Sequence, residues 1–263
     1  MYYSLIIIVL ICVSIYFLFF YKKTRPLKKE GFKSTDYLDG IDAIYWINLD
    51  RSTDRRQRMQ QLFEDPVFTG KKIIRISAVD GKSHDIDQIL NANFEGMTPD
   101  KFSKIEYACL LSHLNAIKQF SESKYNTALI MEDDMTLEYK PHWKKSAKQI
   151  MDNAPSDWDL IQLCINIDTP LKKIYTPNTG YISCSGAYII NKKCSTKIAM
   201  NKYKLDSALH VSDGYLFIKT NTYAYKYPMF TYKLNEISTI HPEHLQQHDR
   251  NKKIIDNFIK GNP

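Results

Sequence analysis

The chain has 263 residues and contains neither a Gly-x-Gly-x-x-Gly nor a Walker loop. The two glycine-rich phosphate cradles that mark dinucleotide and nucleoside-triphosphate sites are therefore absent. There is no internal repeat and no low-complexity tract. Cysteine is sparse and has no Cys-x-x-Cys spacing: Cys12 falls in an apolar run, and Cys109, Cys164, Cys184 and Cys194 are scattered. Neither a disulfide framework nor a zinc site is expected, and the four body cysteines read as small buried apolar residues. No Asn-x-Ser/Thr acceptor occurs, and residues 1–21 carry no charged side chain.

What fills that charge-free stretch is apolar. Ser4 to Phe20 is an unbroken run of apolar or small residues, flanked by Tyr2, Tyr3 and Tyr21. It approaches the ~20 residues that cross a bilayer, and tyrosines suit both interfaces. A cleaved signal peptide is the rival, with an apolar part of ~7–15 residues behind a basic start. Here the run is longer, its start lacks Lys and Arg, and it leaves through Phe19-Phe20-Tyr21-Lys22. The expectation is a transmembrane helix over residues 1–21, contacting the membrane through residues 4–21, then a basic linker over 22–40 and one catalytic body over 41–263. The net charge is +7; Lys22, Lys23, Arg25, Lys28 and Lys29 against Glu30 place +4 of it beside the anchor and leave +3 for residues 31–263. So small an excess on the body argues against nucleic acid as a partner. The basic flank and the missing glycosylation acceptor place the body in the cytosol.

With 44% of its residues hydrophobic and 13% aromatic, the chain can build a core. Ala128 to Met131 reads as a buried strand, and Glu132, Asp133 and Asp134 follow at once. Three adjacent carboxylates repel unless a cation or solvent screens them. Mg²⁺ or Mn²⁺ is one reading, a solvated acidic turn the other. Ile41 to Leu49 reads as a first strand, and Ser52 or Thr53 as the cap of a helix with Met59, Leu62 and Phe63 inward. Arg51, Arg55 and Arg56 stand at that junction, where guanidinium groups and helix amides can hold a diphosphate; Arg56 and Arg58 read rather as a solvated face. Lys72 to Val79 is a second strand, and Ile86 to Leu90 a helical turn. Ser103 to Phe120 is the clearest helix, its apolar stripe interrupted by Glu106, Ser112 and His113. Pro141 opens a further helix with Trp143, Ala147, Ile150 and Met151, and Trp158 to Leu163 is a strand. Tyr175 to Gly180 is a loop, and Tyr181 to Ile190 a strand with Ser185-Gly186-Ala187 in its middle, allowing close backbone approach. Lys192 to Met200 is helical, and Tyr223 to Tyr232 a strand broken by Pro228. The tail holds His241, His244 and His248 and ends in an amphipathic helix with Ile254, Ile255, Phe258 and Ile259.

Four blocks resemble glycosyltransferase family 25, whose members include lipopolysaccharide glycosyltransferases and procollagen galactosyltransferases. They are Tyr45-Trp46-Ile47-Asn48-Leu49-Asp50-Arg51 with Asp54-Arg55-Arg56; Glu106-Tyr107-Ala108-Cys109-Leu110-Leu111-Ser112-His113; Ala128 to Asp134; and Ser185-Gly186-Ala187-Tyr188-Ile189-Ile190 followed by Asp213. Ala108 departs mildly from the family's usual Gly. The resemblance covers about residues 41–240 and implies an α/β fold of GT-A type, a Rossmann-like mixed sheet flanked by helices. It implies a UDP-sugar donor, an Mn²⁺ or Mg²⁺ cofactor, and a glycan or protein hydroxyl as acceptor. Glu132 and Asp134 would be the metal side of an Asp-x-Asp-type element that also includes Asp133. Asn48, Leu49, Arg51 and Arg55 would lie against the nucleotide, and Glu106, Ser112 and His113 would shape the donor pocket. The animal members suggest a lumenal body, so orientation stays open. A catalytically silent, membrane-tethered scaffold is the alternative from another class.

The transfer implied is inverting and needs a base near the acceptor hydroxyl. With Glu132, Asp133 and Asp134 assigned to the donor, Asp213 is the remaining candidate: it follows the small-residue strand and opens an apolar turn, where burial would raise its pKa. A plain helix cap is the other reading.

Overall fold

The computed structural model describes residues 36–98, 101–200, 202–205, 213–233 and 245–261. Contacts divide the chain into one unit over residues 1–33 and another over 34–263. The expected transmembrane segment over 1–21 and most of the basic linker lie outside the described residues. Among the described residues no helix is long and apolar enough to cross a membrane.

In chain order the elements are β1 (Ala43–Asn48), α1 (Thr53–Leu62), β2 (Lys72–Ser77), α2 (Ile86–Asn93), β3 (Phe94–Glu95), α3 (Lys104–Ser121), β4 (Thr127–Glu132) and β5 (Met135–Thr136). They continue with α4 (Ala147–Asp152), β6 (Leu160–Gln162), β7 (Tyr175–Pro177), β8 (Ala187–Asn191), α5 (Lys192–Ile198), β9 (Tyr203–Lys204), α6 (Asp213–Ile218), β10 (Thr222–Tyr225), β11 (Thr231–Tyr232) and α7 (Leu245–Lys260).

Seven strands form one mixed sheet in the order β2-β1-β4-β8-β6-β10-β7. β1 runs parallel to β2 and β4, whereas β8 is antiparallel to both β4 and β6. β1 and β4 are apolar on both faces, as a sheet covered on both sides requires. Their alternate residues separate into two cores. Ile44, Trp46, Leu129 and Met131 join Met59 of α1, Ile150 of α4 and Ile255 of α7. Ala43, Tyr45, Ile47, Ala128 and Ile130 join Leu110, Leu111, Leu114 and Ile117 of α3, with Leu216 and Phe217 of α6. The α3 stripe is fully buried along these positions, and each such side chain contributes about 1.5–3 kcal/mol of transfer free energy.

Three expectations shift. Pro141 opens only a short 3-10 turn, Lys140–His142, and the helix starts later at Ala147. Ser146 explains the delay: its hydroxyl and Gln149 form a reciprocal capping box that fixes the start there. The segment read as a loop contributes the edge strand β7, antiparallel to β10, which suits Pro177 because an edge tolerates a missing N–H. Ser185 and Gly186 precede β8 rather than lying mid-strand. The close approach does occur: Gly186 C=O accepts Glu132 N–H at 2.8 Å, and a Cβ at Gly186 would lie 2.4 Å from Met135 Cε.

Candidate functional site

The chain leaves β1 for β2 on one side and returns through α3 to β4 on the other. Two parallel neighbours reached in opposite directions define a switch point, and ligands of open α/β sheets bind beyond the carboxyl ends of strands at such a place. An open cleft, about 650 Å³ with the solvent space at its mouth, lies there. Ile47, Asn48 and Leu49 line it from the end of β1, Val79, Asp80 and Gly81 from beyond β2, and Glu132 and Asp133 from the end of β4. Arg51, Ser52 and Arg55 come from the start of α1, and Cys109, Ser112 and His113 from α3.

Asn48 ties these walls together. It is 1% exposed. Its amide donates to Asp133 Oδ2 at 2.6 Å and to Ser52 C=O at 3.2 Å. Its Oδ1 accepts Arg56 Nε and Arg75 Nε, both at 3.1 Å. Arg55 meets the other oxygen of Asp133 at 2.8 Å, and Arg51 meets Asp80 at 2.6 Å. That guanidinium holds Asp80 below the usual carboxylate range, against a smaller upward push from burial. Ser52 stands at the N-cap of α1, yet its side chain makes no capping bond. The first-turn amides are thus left without a cap from that side chain, at the cleft wall.

The inner wall is a chain of polar groups. His113 is fully buried, with Nδ1 3.1 Å from Tyr188 Oη and Nε2 3.3 Å from Glu132 Oε1. Ser185 Oγ donates to the same Glu132 oxygen at 2.9 Å. Burial pushes the Glu132 carboxyl up, but His113, Ser185 and Arg55 together leave it below its ordinary value. Burial, then the Glu132 charge, pushes the Tyr188 phenol up. Past Ser185 lies Asp213, whose Oδ2 accepts Cys184 N–H at 2.7 Å. Burial raises its pKa, bonds from Cys184 and Ser185 partly offset this, and the Glu132 charge adds to the rise. A hydroxyl has one proton to donate, so Ser185 cannot donate to both carboxylates at once. Ser112 acts elsewhere, donating to Ala108 C=O at 2.7 Å and accepting Val79 N–H at 2.9 Å, and so joins α3 to the loop after β2. Gly81 lets that loop lie close, since a Cβ there would be 2.5 Å from Ile105 Cα.

Asn48, Leu49, Arg51, Arg55, Ser112, His113, Glu132 and Asp133 thus meet in one cleft. Glu106 is not among its lining residues; its carboxylate accepts Ser103 N–H at 2.7 Å in a capping box that starts α3. Asp134 lines an adjoining recess with Arg58, Thr136 and Lys233, and Asp133 reaches both. Asp213 does not line the cleft; it is half-buried, bonded to the Cys184 amide beside Ser185. Arg56, read as solvated, instead holds Asn48 and the Asp50 carbonyl. No group of three His, Cys, Asp or Glu able to hold a metal occurs among the described residues. His241 and His244 lie outside them; His248 packs its ring 5.4 Å from that of Tyr232. Sequence reasoning missed Asp80 and Tyr188. Asp80-Gly81 at a strand end was the available signal for the first, whereas Tyr188 lies in an apolar run that marks only a core strand.

Comparison with known proteins gives the family. The profile of glycosyltransferase family 25 (LPS biosynthesis protein) matches residues 41–220. Human procollagen galactosyltransferase 2 is 35% identical over 136 residues, 47% of this chain and 21% of that protein. Zebrafish (Danio rerio) procollagen galactosyltransferase 1 is 33% identical over 143 residues, 50% of this chain and 22% of that protein. The match therefore spans about a fifth of those relatives' length. Among solved structures, a glycosyltransferase involved in the glycosylation of the major capsid of PBCV-1 aligns over 81% of this chain and 98% of its own, at 9% identity and a TM-score of 0.37, a likeness too weak to build on. The matched segment contains both walls of the cleft, and the chain belongs to glycosyltransferase family 25.

Proposed function

We propose that the protein is a metal-dependent, inverting glycosyltransferase of GT-A type that moves galactose or glucose from a UDP-sugar to a hydroxyl of a glycan, lipopolysaccharide-like or hydroxylysine/protein acceptor. One observation carries the reading: the switch-point cleft sets Arg51, Arg55 and the first turn of α1 against Glu132 and Asp133. Galactose and a protein acceptor follow the name of the procollagen relatives and a lipopolysaccharide-like acceptor the name of the family; glucose is the second donor sugar the family resemblance suggests.

In this reading the leaving diphosphate lies at the start of α1, where helix amides and Arg51 and Arg55 oppose its charge. Asn48 fixes Asp133 and, through it, Arg55, so the cationic wall is held before the donor arrives. Glu132 is committed to His113 and Ser185 and orients the inner wall. Asp213 accepts the proton of the acceptor hydroxyl, and burial brings its pKa toward the working range.

The residues fit Mn²⁺ or Mg²⁺ in one mode only. Both oxygens of Asp133 are already engaged, and no three-ligand cluster exists among the described residues. A hard cation that takes most of its ligands from phosphates and water needs just one or two protein carboxylates. Asp134, in the recess that Asp133 joins to the cleft, has a buried Oδ1 with no hydrogen bond to a described residue and would supply that contact, and the bound cation would neutralise charge on the leaving diphosphate.

A panel of nucleotide sugars incubated with the full-length protein and Mn²⁺, read by released nucleoside diphosphate, tests the reading. Release from UDP-galactose or UDP-glucose is expected. Folded protein that releases none from any donor would instead be a silent, tethered binding protein.

A further inference from the structure

Four cysteines lie among the described residues and all are free thiols. Cys109 and Cys194 stand on α3 and α5, but Cys164 and Cys184 meet, with Cys184 Sγ 3.1 Å from Cys164 Sγ. The segments that carry them run antiparallel. Gln162 pairs with Tyr188 in the sheet, and Asn166 bridges Ser183 beyond it. Between the two pairings the register slips by one residue. There Leu163 N–H and Cys164 N–H both donate to Ala187 C=O, at 2.9 and 3.1 Å. This β-bulge re-aims the side chains that follow it, and Cys164 ends against Cys184.

Cys184 is itself unusual. Its φ of +94° makes it the one non-glycine residue in the left-handed region among the described residues. Such a conformation persists where surrounding contacts hold it. Here those contacts are the bond from Cys184 N–H to Asp213 Oδ2 at 2.7 Å and the meeting with Cys164. A disulfide bond is ~2.05 Å long, so closing this one needs a further approach of about 1 Å and the loss of two hydrogens.

We propose that Cys164 and Cys184 are a redox-convertible pair that closes to an intramolecular disulfide and locks the turn presenting Ser185 and the Cys184 amide. The oxidant class is a small-molecule disulfide such as oxidised glutathione. Cys184, half-buried where Cys164 is 1% exposed, gives up its proton and attacks one glutathione sulfur, and the first glutathione leaves as thiolate. Cys164 then attacks the Cys184 sulfur of the mixed disulfide and expels the second glutathione. Two protein thiols are oxidised, one glutathione disulfide is reduced, and the two protons end on the two glutathione thiols. The bond to Cys164, then burial, hold the Cys184 thiol well above its ordinary range, so the exchange is slow. The pair lies outside the donor cleft and does not depend on the transfer proposed above.

The test uses the full-length folded chain. It is incubated with oxidised or reduced glutathione, blocked with an alkylating agent, digested without reduction and analysed by mass spectrometry. A cross-linked peptide containing Cys164 and Cys184 is expected in the oxidised sample alone, with a Tm higher by about 5–10 °C for the loop it closes. C164S and C184G, the second chosen because glycine accepts the positive φ, each remove the cross-link and the shift, whereas C109S keeps both. Unmodified Cys164 and Cys184 thiols after oxidation, or a cross-link to Cys109 or Cys194 instead, would overturn the proposal.

Discussion

Asp213 shows how one side chain can oppose stability and serve chemistry. Its folded pKa is raised, so its contribution to stability is fully present below the unfolded value and is lost as pH rises through the folded one. Near neutral pH the buried charge is a burden. Asp213→Asn keeps an acceptor for the Cys184 amide and removes that charge. The variant is expected to melt higher than the parent near pH 7, with the difference closing on acidification, while turnover at saturating acceptor falls roughly 10²-fold or more and donor affinity holds. Melting curves across pH with paired kinetics check this; near-normal turnover would reject Asp213 as base. Glu132 has the opposite sign: its lowered pKa gives stability present above the unfolded value and lost as pH falls through the folded one. Asn48 is the second test. Asn48→Ala leaves the buried Asp133 short of a partner, expected to cost about 1–3 kcal/mol by denaturant unfolding and to weaken donor binding as Arg55 loses its fixed support. Of these roles, the acidic run after β4 and the arginines near β1 were legible in the residues. The hub at Asn48 was not, because its bonds to Arg75 and Asp133 span 27 and 85 positions and no local pattern encodes such pairings.

Among the elements, α3 was the most legible, since an apolar stripe over five turns has few alternatives. Its polar interruptions were ambiguous because period alone does not say where a side chain goes. Ser112 joins two elements, His113 reaches the cleft, and Glu106 caps the helix. These fates separate under mutation. Glu106→Ala is expected to cost about 1 kcal/mol of stability, as the loss of a capping box does, and to leave donor affinity unchanged. A large fall in affinity at unchanged stability would return Glu106 to the pocket. The segment around Pro141 failed as a long helix for a reason that is also local: the Ser146–Gln149 capping box outcompetes the proline as a start. Asp213 opens α6 as expected, but its meeting with the Cys184 amide depends on the antiparallel placement of β8 between β4 and β6. Strand order is set by long-range packing and cannot be read from periods of two or 3.6.

For the whole molecule, both sheet faces are covered by elements within residues 34–263, and contacts separate that unit from residues 1–33. A chain beginning at Gly31 is therefore expected to stay soluble without detergent and to melt within a few degrees of the full-length protein. Aggregation of the shortened chain, with the full-length protein intact in detergent, would make the apolar run part of the folded body. Everything proposed for the site requires that the switch-point cleft hold a nucleoside diphosphate with a divalent cation, and calorimetric titration of UDP reads that binding without any acceptor. Saturable 1:1 binding to the parent protein is expected in Mn²⁺, with a large loss of affinity in chelator and in Asp134→Asn while both stay folded. Arg55→Ala is expected to weaken binding at least roughly tenfold, about 1.4 kcal/mol. No heat of binding for UDP or any UDP-sugar in Mn²⁺, or affinity indifferent to chelator and to both substitutions, would contradict a nucleotide-sugar site in this cleft.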